Sequence, residues 1–299
     1  MTRVVAPPAP PPPWIADLVA LTKPRIVSLL LVTTVAPMYA AGSPSLLDIV
    51  LVTVGGYLMA GGANAVNMYF DRDIDDTMVR TRTRPLPAGR MLPRAVLAFG
   101  VASATAATFL FARFVNVLAA GLALAGFYCY VFVYTRWLKR STPQNIVLGG
   151  AAGAFPPLVG WAAVTGRVDT AALLLFLIVF YWTPPHFWAL ALNKQVDYDR
   201  AGVPMAPLVW GERETIDQMR WYSVLLVGLT LLPVALGVLG LLYLAAALVL
   251  GAVFLRGVWR VWRERERGAW SAPAWALYKF SLLYLALLFV TMAVDRHVS

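Results

Sequence analysis

Long apolar runs broken by short charged stretches set the pattern of this chain. The runs fall at 25–41, 46–68, 95–112, 114–134, 145–164, 170–192, 221–239, 241–258 and 273–294. Each is long enough to cross a bilayer as a helix. In lipid the backbone polar groups must be satisfied within the structure, and the alternating pattern of a membrane barrel is absent, so the spans are helical. The seventh and eighth meet at a minimal turn near Gly237 and Gly240; joined, they are too long for one crossing. The expected fold class is all-α, a polytopic membrane protein with one transmembrane domain over 21–299. Residues 1–20 stand apart. Pro7, Pro8 and Pro10 to Pro13 predict a disordered or polyproline tail, and Trp14 to Leu21 an interfacial helix with Trp14 at headgroup level.

Composition agrees. Hydrophobic residues make up 60% of the chain and charged residues 13%, about half the share of a soluble domain. The single cysteine, Cys129, lies within an apolar run, which leaves no internal disulfide and no sign of thiol chemistry. The net charge of +10 is explained by its distribution and not by nucleic acid, which is not expected as a partner. Of 25 Lys and Arg, 22 belong to the N-terminal stretch and the regions following spans two, four, six and eight; only Arg113, Arg167 and Arg296 fall on the other side. The positive-inside rule places the N-terminus and those loops in the cytoplasm, and nine spans then put the C-terminus outside. The basic, aromatic stretch from Arg256 to Arg267 fits a topology anchor, with anionic membrane lipid as a further partner.

The candidate chemistry lies after the second span, where Asp71, Asp73, Asp75 and Asp76 are followed by Arg80, Arg82 and Arg84. Asn67, Asp71 and Asp75 are spaced i, i+4, i+8, which puts them on one helix face. Stacked carboxylates repel, so positive charge must offset them. A hard divalent cation with oxygen ligands is the natural candidate, with substrate phosphates completing its shell. The arginines add phosphate partners, with Arg72 beside them. A charged loop that merely stops a helix is the plainer alternative. The spaced oxygen ligands argue for a site that holds a metal-bound diphosphate. Acids at the ends of spans favour an enzyme over a transporter, whose acids belong near the midplane.

The loop after span six carries a weaker copy. Asn193 and Asp197 repeat the first spacing, followed by Tyr198, but Ala201 stands where the third acid would be. Lys194 and water serve this half as much as metal does. Between the copies, Pro184-Pro185-His186-Phe187 holds the only histidine of the apolar region. It suits either a packed hydrogen-bonding residue or a haem or proton role, and the sequence leaves both open. The aromatic residues Phe127, Tyr128, Tyr130, Phe132 and Tyr134 of span four fit membrane packing better than stabilisation of a carbocation.

These residues carry a resemblance. Asn67-x-x-x-Asp71-x-x-x-Asp75 at a helix end, with a second acidic loop half a chain later, resembles the intramembrane aromatic prenyltransferase superfamily. Leu21-Thr22-Lys23-Pro24-Arg25, Met78-Val-Arg80-Thr81 through Arg84-Pro85-Leu86, Pro184-Pro185-His186-Phe187, and Asp197-Tyr198 through Gly202-x-Pro204-Met205 resemble its haem-farnesylating branch, in the same order. Ala206 before Pro207 departs from the usual Leu-Pro. The resemblance implies nine helices around a central cavity capped by two cytoplasmic loops, in a bacterial cytoplasmic membrane. It implies farnesyl diphosphate as donor, haem b as acceptor, Mg²⁺ or Mn²⁺ as cofactor, and a haem A synthase as a partner. It carries Asn67, Asp71, Asp75 and Asp197 over as metal ligands, Arg80 and Arg84 as diphosphate-binding residues, and His186 as the branch's histidine. Tyr198 and His186 are candidates for guiding water or orienting a propionate.

Overall fold

The computed structural model describes residues 14–298; the proline tail lies outside the described residues. Thirteen helices follow in order. They are α1 (Trp14–Thr22), α2 (Pro24–Ala41), α3 (Leu46–Phe70), α4 (Arg72–Thr77), α5 (Pro93–Phe114) and α6 (Val117–Ser141), then α7 (Asn145–Thr165), α8 (Thr170–Leu192), α9 (Gln195–Arg200), α10 (Ala206–Val209), α11 (Glu212–Ala235), α12 (Leu241–Glu264) and α13 (Ser271–Val298). Among the described residues there is no strand, and nine helices are long and apolar enough to cross a membrane.

Local sequence explains where they start. Ser45 and Asp48 form a reciprocal capping box at the head of α3. Asn116 and Asp169 cap α6 and α8 by accepting from the N–H groups of Ala119 and Ala172. Pro24 and Pro93 open α2 and α5, where a missing N–H is harmless. Pro37, Pro156, Pro157, Pro184, Pro185 and Pro233 lie inside helices, tolerated because neighbouring helices re-satisfy the freed carbonyls.

α7 and α8 form the centre: 61% of each apolar window is buried, against 39% or less for the other spans. Lipid offers no hydrophobic drive for helices to associate, so close approach through small residues matters. α3 and α5 touch backbone to backbone at Gly62 and Gly100, where an added Cβ would stand 2.7 Å and 2.9 Å from the opposing carbonyl oxygen. Gly160 of α7 lies so close to the Thr34 carbonyl of α2 that no side chain fits.

Two predicted boundaries move, and the first helix is held differently. The fourth span runs on past Tyr134 to Ser141, where Arg136 lies over the Phe70 ring and Lys139 and Arg140 bond to Asp71 and Asp73. The seventh begins at Glu212, nine residues early, since its polar first turns bury Thr215, Ile216 and Met219. α1 is a docked helix. Asp17 accepts Arg90 at 2.9 Å, and Leu21 packs with Ala65, Met68, Leu86 and Val96.

Candidate active site

α3 ends at Phe70 and α4 begins at Arg72, so Asn67, Asp71 and Asp75 do not ride one unbroken helix. The spacing survives because Asp71 N–H still donates to the Asn67 carbonyl (2.9 Å) and Asp75 N–H to the Asp71 carbonyl (2.7 Å). All three side chains point inward, at 4%, 1% and 2% exposure, while the neighbouring Arg72, Asp73 and Asp76 are exposed. The expected shared face therefore exists.

The charge that these carboxylates need comes in part from the chain itself. Lys139 Nζ lies 2.6 Å from Asp71 Oδ2, and Arg84 lies 2.7 Å from Asp75 Oδ2. Lys23 Nζ donates to Asn67 Oδ1 at 2.9 Å, and Asn67 Nδ2 donates to Asp71 Oδ2 and to Thr135 Oγ1. Arg140 approaches Asp71 Oδ1 at 3.7 Å and clamps Asp73 from the same guanidinium. That clamp holds the Asp73 carboxyl down to about 2.

Several of these residues carry no sequence motif. Lys139 and Thr135 reach the site because Cys129–Leu138 is wound as a π-helix, in which Thr135 Oγ1 donates to the Tyr130 carbonyl five residues back. The wider turn aligns Tyr130, Thr135 and Lys139 toward α3, and π-turns of this kind gather at functional positions. Tyr130 and Tyr134 stack at 5.8 Å beside them, closer to the site than membrane packing alone predicts. In the sequence Lys139 figures only among the basic residues that set the topology. Lys23 sits in the left-handed region at φ 52, just before Pro24. A residue there stores about 1–2 kcal/mol of backbone strain, and the strained linker delivers its ammonium to Asn67. Burial, reinforced by the Arg84 guanidinium and the Lys139 ammonium, lowers Lys23 to about 7 despite the attraction of Asp75 and Asp71.

The second loop meets the first through apolar contact. Tyr198 of α9, with Val203 and Met205, packs on Ile74 and Met78 and on Ile146. Gly202, at φ 63, makes the turn that returns the chain. Burial raises the Tyr198 phenol, opposed by Arg80, so it stays protonated. Asp197 is half-buried and Asp199 exposed. The copy is not a structural equivalent: Asn193 Oδ1 accepts from Ser271 Oγ at 2.6 Å and its amide donates to the Ala189 carbonyl. The Lys194 ammonium is directed toward α13, 6.0 Å from the Trp275 ring centre. Arg72 is likewise turned away, donating to the Tyr69 carbonyl and lying over the Tyr69 ring. Arg80 is exposed at the loop surface. His186 is buried in α8, held by Ser281 of α13.

The donor set fits a hard cation in part. Asn67, Asp71 and Asp75 offer only oxygen to such an ion, and Asp71 Oδ1 is buried without a hydrogen-bond partner. Among the described residues no three His, Cys, Asp or Glu side chains gather into a ready-made cage. The arrangement therefore suits an ion that brings ligands with it, as Mg²⁺ on a diphosphate does.

Comparison with known proteins agrees with this geometry. The model of the UbiA prenyltransferase family matches residues 29–293. A protoheme IX farnesyltransferase of Symbiobacterium thermophilum is 55% identical over 283 residues, 94% of each chain. One of Roseiflexus sp. is 54% identical over 95% of this chain. This chain spans about half the length of the Roseiflexus and Chloroflexus relatives. A digeranylgeranylglyceryl phosphate synthase structure superposes with TM-score 0.75 at 18% identity, covering 95% of this chain and 99% of that one. A UbiA homologue from Archaeoglobus fulgidus, bound to DMAPP and Mg²⁺, gives 0.61 at 16% identity over 93% and 99%. With a match across nearly all nine spans and the motif residues gathered at one end of the bundle, the chain belongs to the UbiA prenyltransferase family.

Proposed function

We propose that this protein transfers the farnesyl group of farnesyl diphosphate to a vinyl group of haem b, giving haem O and diphosphate. The observation that carries the transfer is the buried face of Asn67, Asp71 and Asp75, ringed by Lys139, Arg84 and Lys23. The choice of haem rests on the names of relatives about 50% identical, one of them covered over 94% of its length. Solved structures of this fold hold an allylic diphosphate with Mg²⁺.

The chemistry follows from the charges. The C1–O bond of the allylic diphosphate breaks with its electron pair leaving on oxygen, so negative charge grows on the leaving group. Arg84 and Lys139 are preorganised to meet it, with Arg80 at the loop surface. Asn67, Asp71 and Asp75, with Asp197 from the second loop, would hold Mg²⁺ or Mn²⁺, whose charge supplies further stabilisation of the departing diphosphate. The vinyl π pair then bonds to C1 of the farnesyl cation. Water captures the resulting cation beside the porphyrin and loses a proton, which completes the hydroxyethylfarnesyl group. No strong base is needed first, because the vinyl π pair attacks without any proton having to be removed beforehand. Tyr198, kept protonated by burial, would orient water or a propionate. The helices exclude bulk water, which would quench the cation early.

The charge asymmetry supports a bacterial inner membrane with the N-terminus and both acidic loops cytoplasmic, where farnesyl diphosphate is available. A haem A synthase is the proposed consumer of the product. The test incubates the purified chain with farnesyl diphosphate, Mg²⁺ and haem b and follows haem by chromatography with mass detection. A more apolar hydroxyethylfarnesyl haem is expected. Unchanged haem b, with a quinone precursor prenylated instead, rejects the reading in favour of another acceptor.

A further inference from the structure

Arg90 closes the loop that follows α4, and no step of the reaction uses it. Its guanidinium meets two acceptors at once. Nε donates to both carboxylate oxygens of Asp17, at 3.0 Å and 3.1 Å, and Nη2 donates to Asp17 Oδ1 at 2.9 Å. Nη1 and Nη2 also donate to the Thr83 carbonyl, at 3.3 Å and 3.2 Å. Thr83 immediately precedes Arg84, whose own guanidinium lies 2.7 Å from Asp75. One planar fork thus ties α1 to the peptide that carries a cation of the diphosphate face.

The loop is shaped to bring Arg90 back to Thr83. Gly89, at φ 69, lets the chain turn, and the Arg90 N–H returns to the Pro85 carbonyl at 3.0 Å. On the other flank Thr81 Oγ1 donates to the Asp75 carbonyl at 2.7 Å, and the Arg84 N–H donates to the Thr81 carbonyl at 2.9 Å. Arg84 is therefore held from both sides, through Thr81 to α4 and through Arg90 to α1. The α1 side reaches further. Leu21 of that helix packs with Leu86 of the loop, and the Thr22 carbonyl accepts from Asn64 of α3 at 3.0 Å. The next residue is Lys23, which donates to Asn67. α1 thus bears on two of the three cations around Asn67, Asp71 and Asp75. A helix that served only to lie at the membrane surface would need its exposed Trp14, Ile15 and Val19, and not a buried carboxylate on its inner side.

We infer that Asp17 and Arg90 are positioning residues for the donor diphosphate, a clamp that holds Arg84 and Lys23 in register across the diphosphate face before the donor arrives. The inference rests on the proposed allylic diphosphate donor and adds what fixes the cations that receive it. Both residues act through others. Preorganisation of this kind lowers the cost of binding. Once the donor is bound, its own charge draws Arg84 into place, so loss of the clamp falls on donor affinity more than on the rate at saturation.

The test uses the full chain in lipid nanodiscs. A non-hydrolysable farnesyl diphosphate analogue is titrated with Mg²⁺ by calorimetry in the absence of haem, and steady-state kinetics follow with both substrates. Asp17→Asn removes the charge that Arg90 grips. Arg90→Lys keeps a cation for Asp17 but gives up the fork that holds Asp17 and Thr83 together, so it remains informative if Asp17→Asn does not fold. Each should weaken analogue binding and raise the KM for farnesyl diphosphate by roughly tenfold, with kcat and the KM for haem b little changed. Arg84→Met removes the group that the clamp positions, so adding Arg90→Lys to it should weaken binding by less than about threefold more. Full additivity of the two substitutions overturns the inference. Analogue binding by Arg90→Lys equal to wild type also overturns it, and leaves the proposed reaction standing. Equal losses of haem and analogue affinity would make the pair a general brace of the bundle and end its positioning role. A chain that prenylates a quinone precursor instead of haem, and still loses analogue affinity in both single variants, sustains the clamp while rejecting the haem acceptor.

Discussion

The two acidic loops share a spacing but not an environment. After α3, Asp71 and Asp75 are almost completely buried and each meets a cation at 2.7 Å or less. After α8, Asp197 is half-buried and Asp199 exposed, and the asparagine of the repeat is tied to α13 instead of to its acid. A carboxylate out of water interacts several times more strongly with charge than one in it. The same motif therefore makes a strong electrostatic site in one place and a modest one in the other. The first loop is built to take charge; the second, through Tyr198, Val203 and Met205, is built to hold the first in position.

That contrast can be broken from the strong side. Asp71→Asn or Asp75→Asn should lower turnover by more than about 100-fold, as removal of one preorganised charge does. Size-exclusion and circular dichroism profiles should stay intact. Substantial activity in either variant would end the metal–diphosphate assignment. Lys139→Met comes next. It leaves the Asp71 carboxylate buried with its close partner gone, a loss of about 3–5 kcal/mol. Its thermal midpoint should fall, and Mg²⁺ with a non-hydrolysable diphosphate should recover more of it than in wild type. An unchanged midpoint would mean that Asp71 is already satisfied elsewhere.

The weak side gives smaller numbers. A half-exposed charge is worth up to about 1 kcal/mol, so Asp197→Asn should slow turnover only about fivefold. A loss as large as that of Asp71→Asn would show the loops to be equal partners in holding the metal. Ala201→Asp completes the missing acid of the copy. In this fold Ala201 packs at the edge of the Ile74–Tyr198 cluster. The new carboxylate should cost about 1–3 kcal/mol of stability by urea titration and add no metal affinity. Tighter Mg²⁺ binding by calorimetry would restore the duplicated reading of the loop.

Much of this was legible in the chain. Nine spans follow from apolar length alone, since a bilayer imposes one scale on every helix. The inward face of Asn67, Asp71 and Asp75 follows from helical spacing, even though the helix breaks at Asp71. What was hidden depends on distance in space. Lys139 and Thr135 stand 68 residues from the groups they serve and reach them only through irregular winding that no periodicity reports. Lys23 belongs to the Leu21–Arg25 block that carries the resemblance, but its reach to Asn67 follows only from its backbone angle. Arg72 fails in the opposite sense. Adjacent to Asp71 in sequence, it is carried to the outer face by the step of one residue. The extension of α11 to Glu212 was hidden for a different reason: hydropathy reports lipid contact, whereas those turns are held by protein contact.

The loose winding of α6 has a consequence for how this protein tolerates change in length. A π-helical stretch holds more residues per turn than an α-helix, and shedding one would let it relax to the tighter and intrinsically better bonded form. Deleting Val133, an exposed position within it, should raise the helicity of the segment. It should also remove the wide turn that aims Thr135 and Lys139 at α3, and so loosen the Lys139–Asp71 pair. Here a shorter chain is a better helix and a worse catalyst. Natural variants of this protein are expected to lengthen and shorten freely at the turn after α7, and to keep the residue count between Tyr130 and Lys139 fixed.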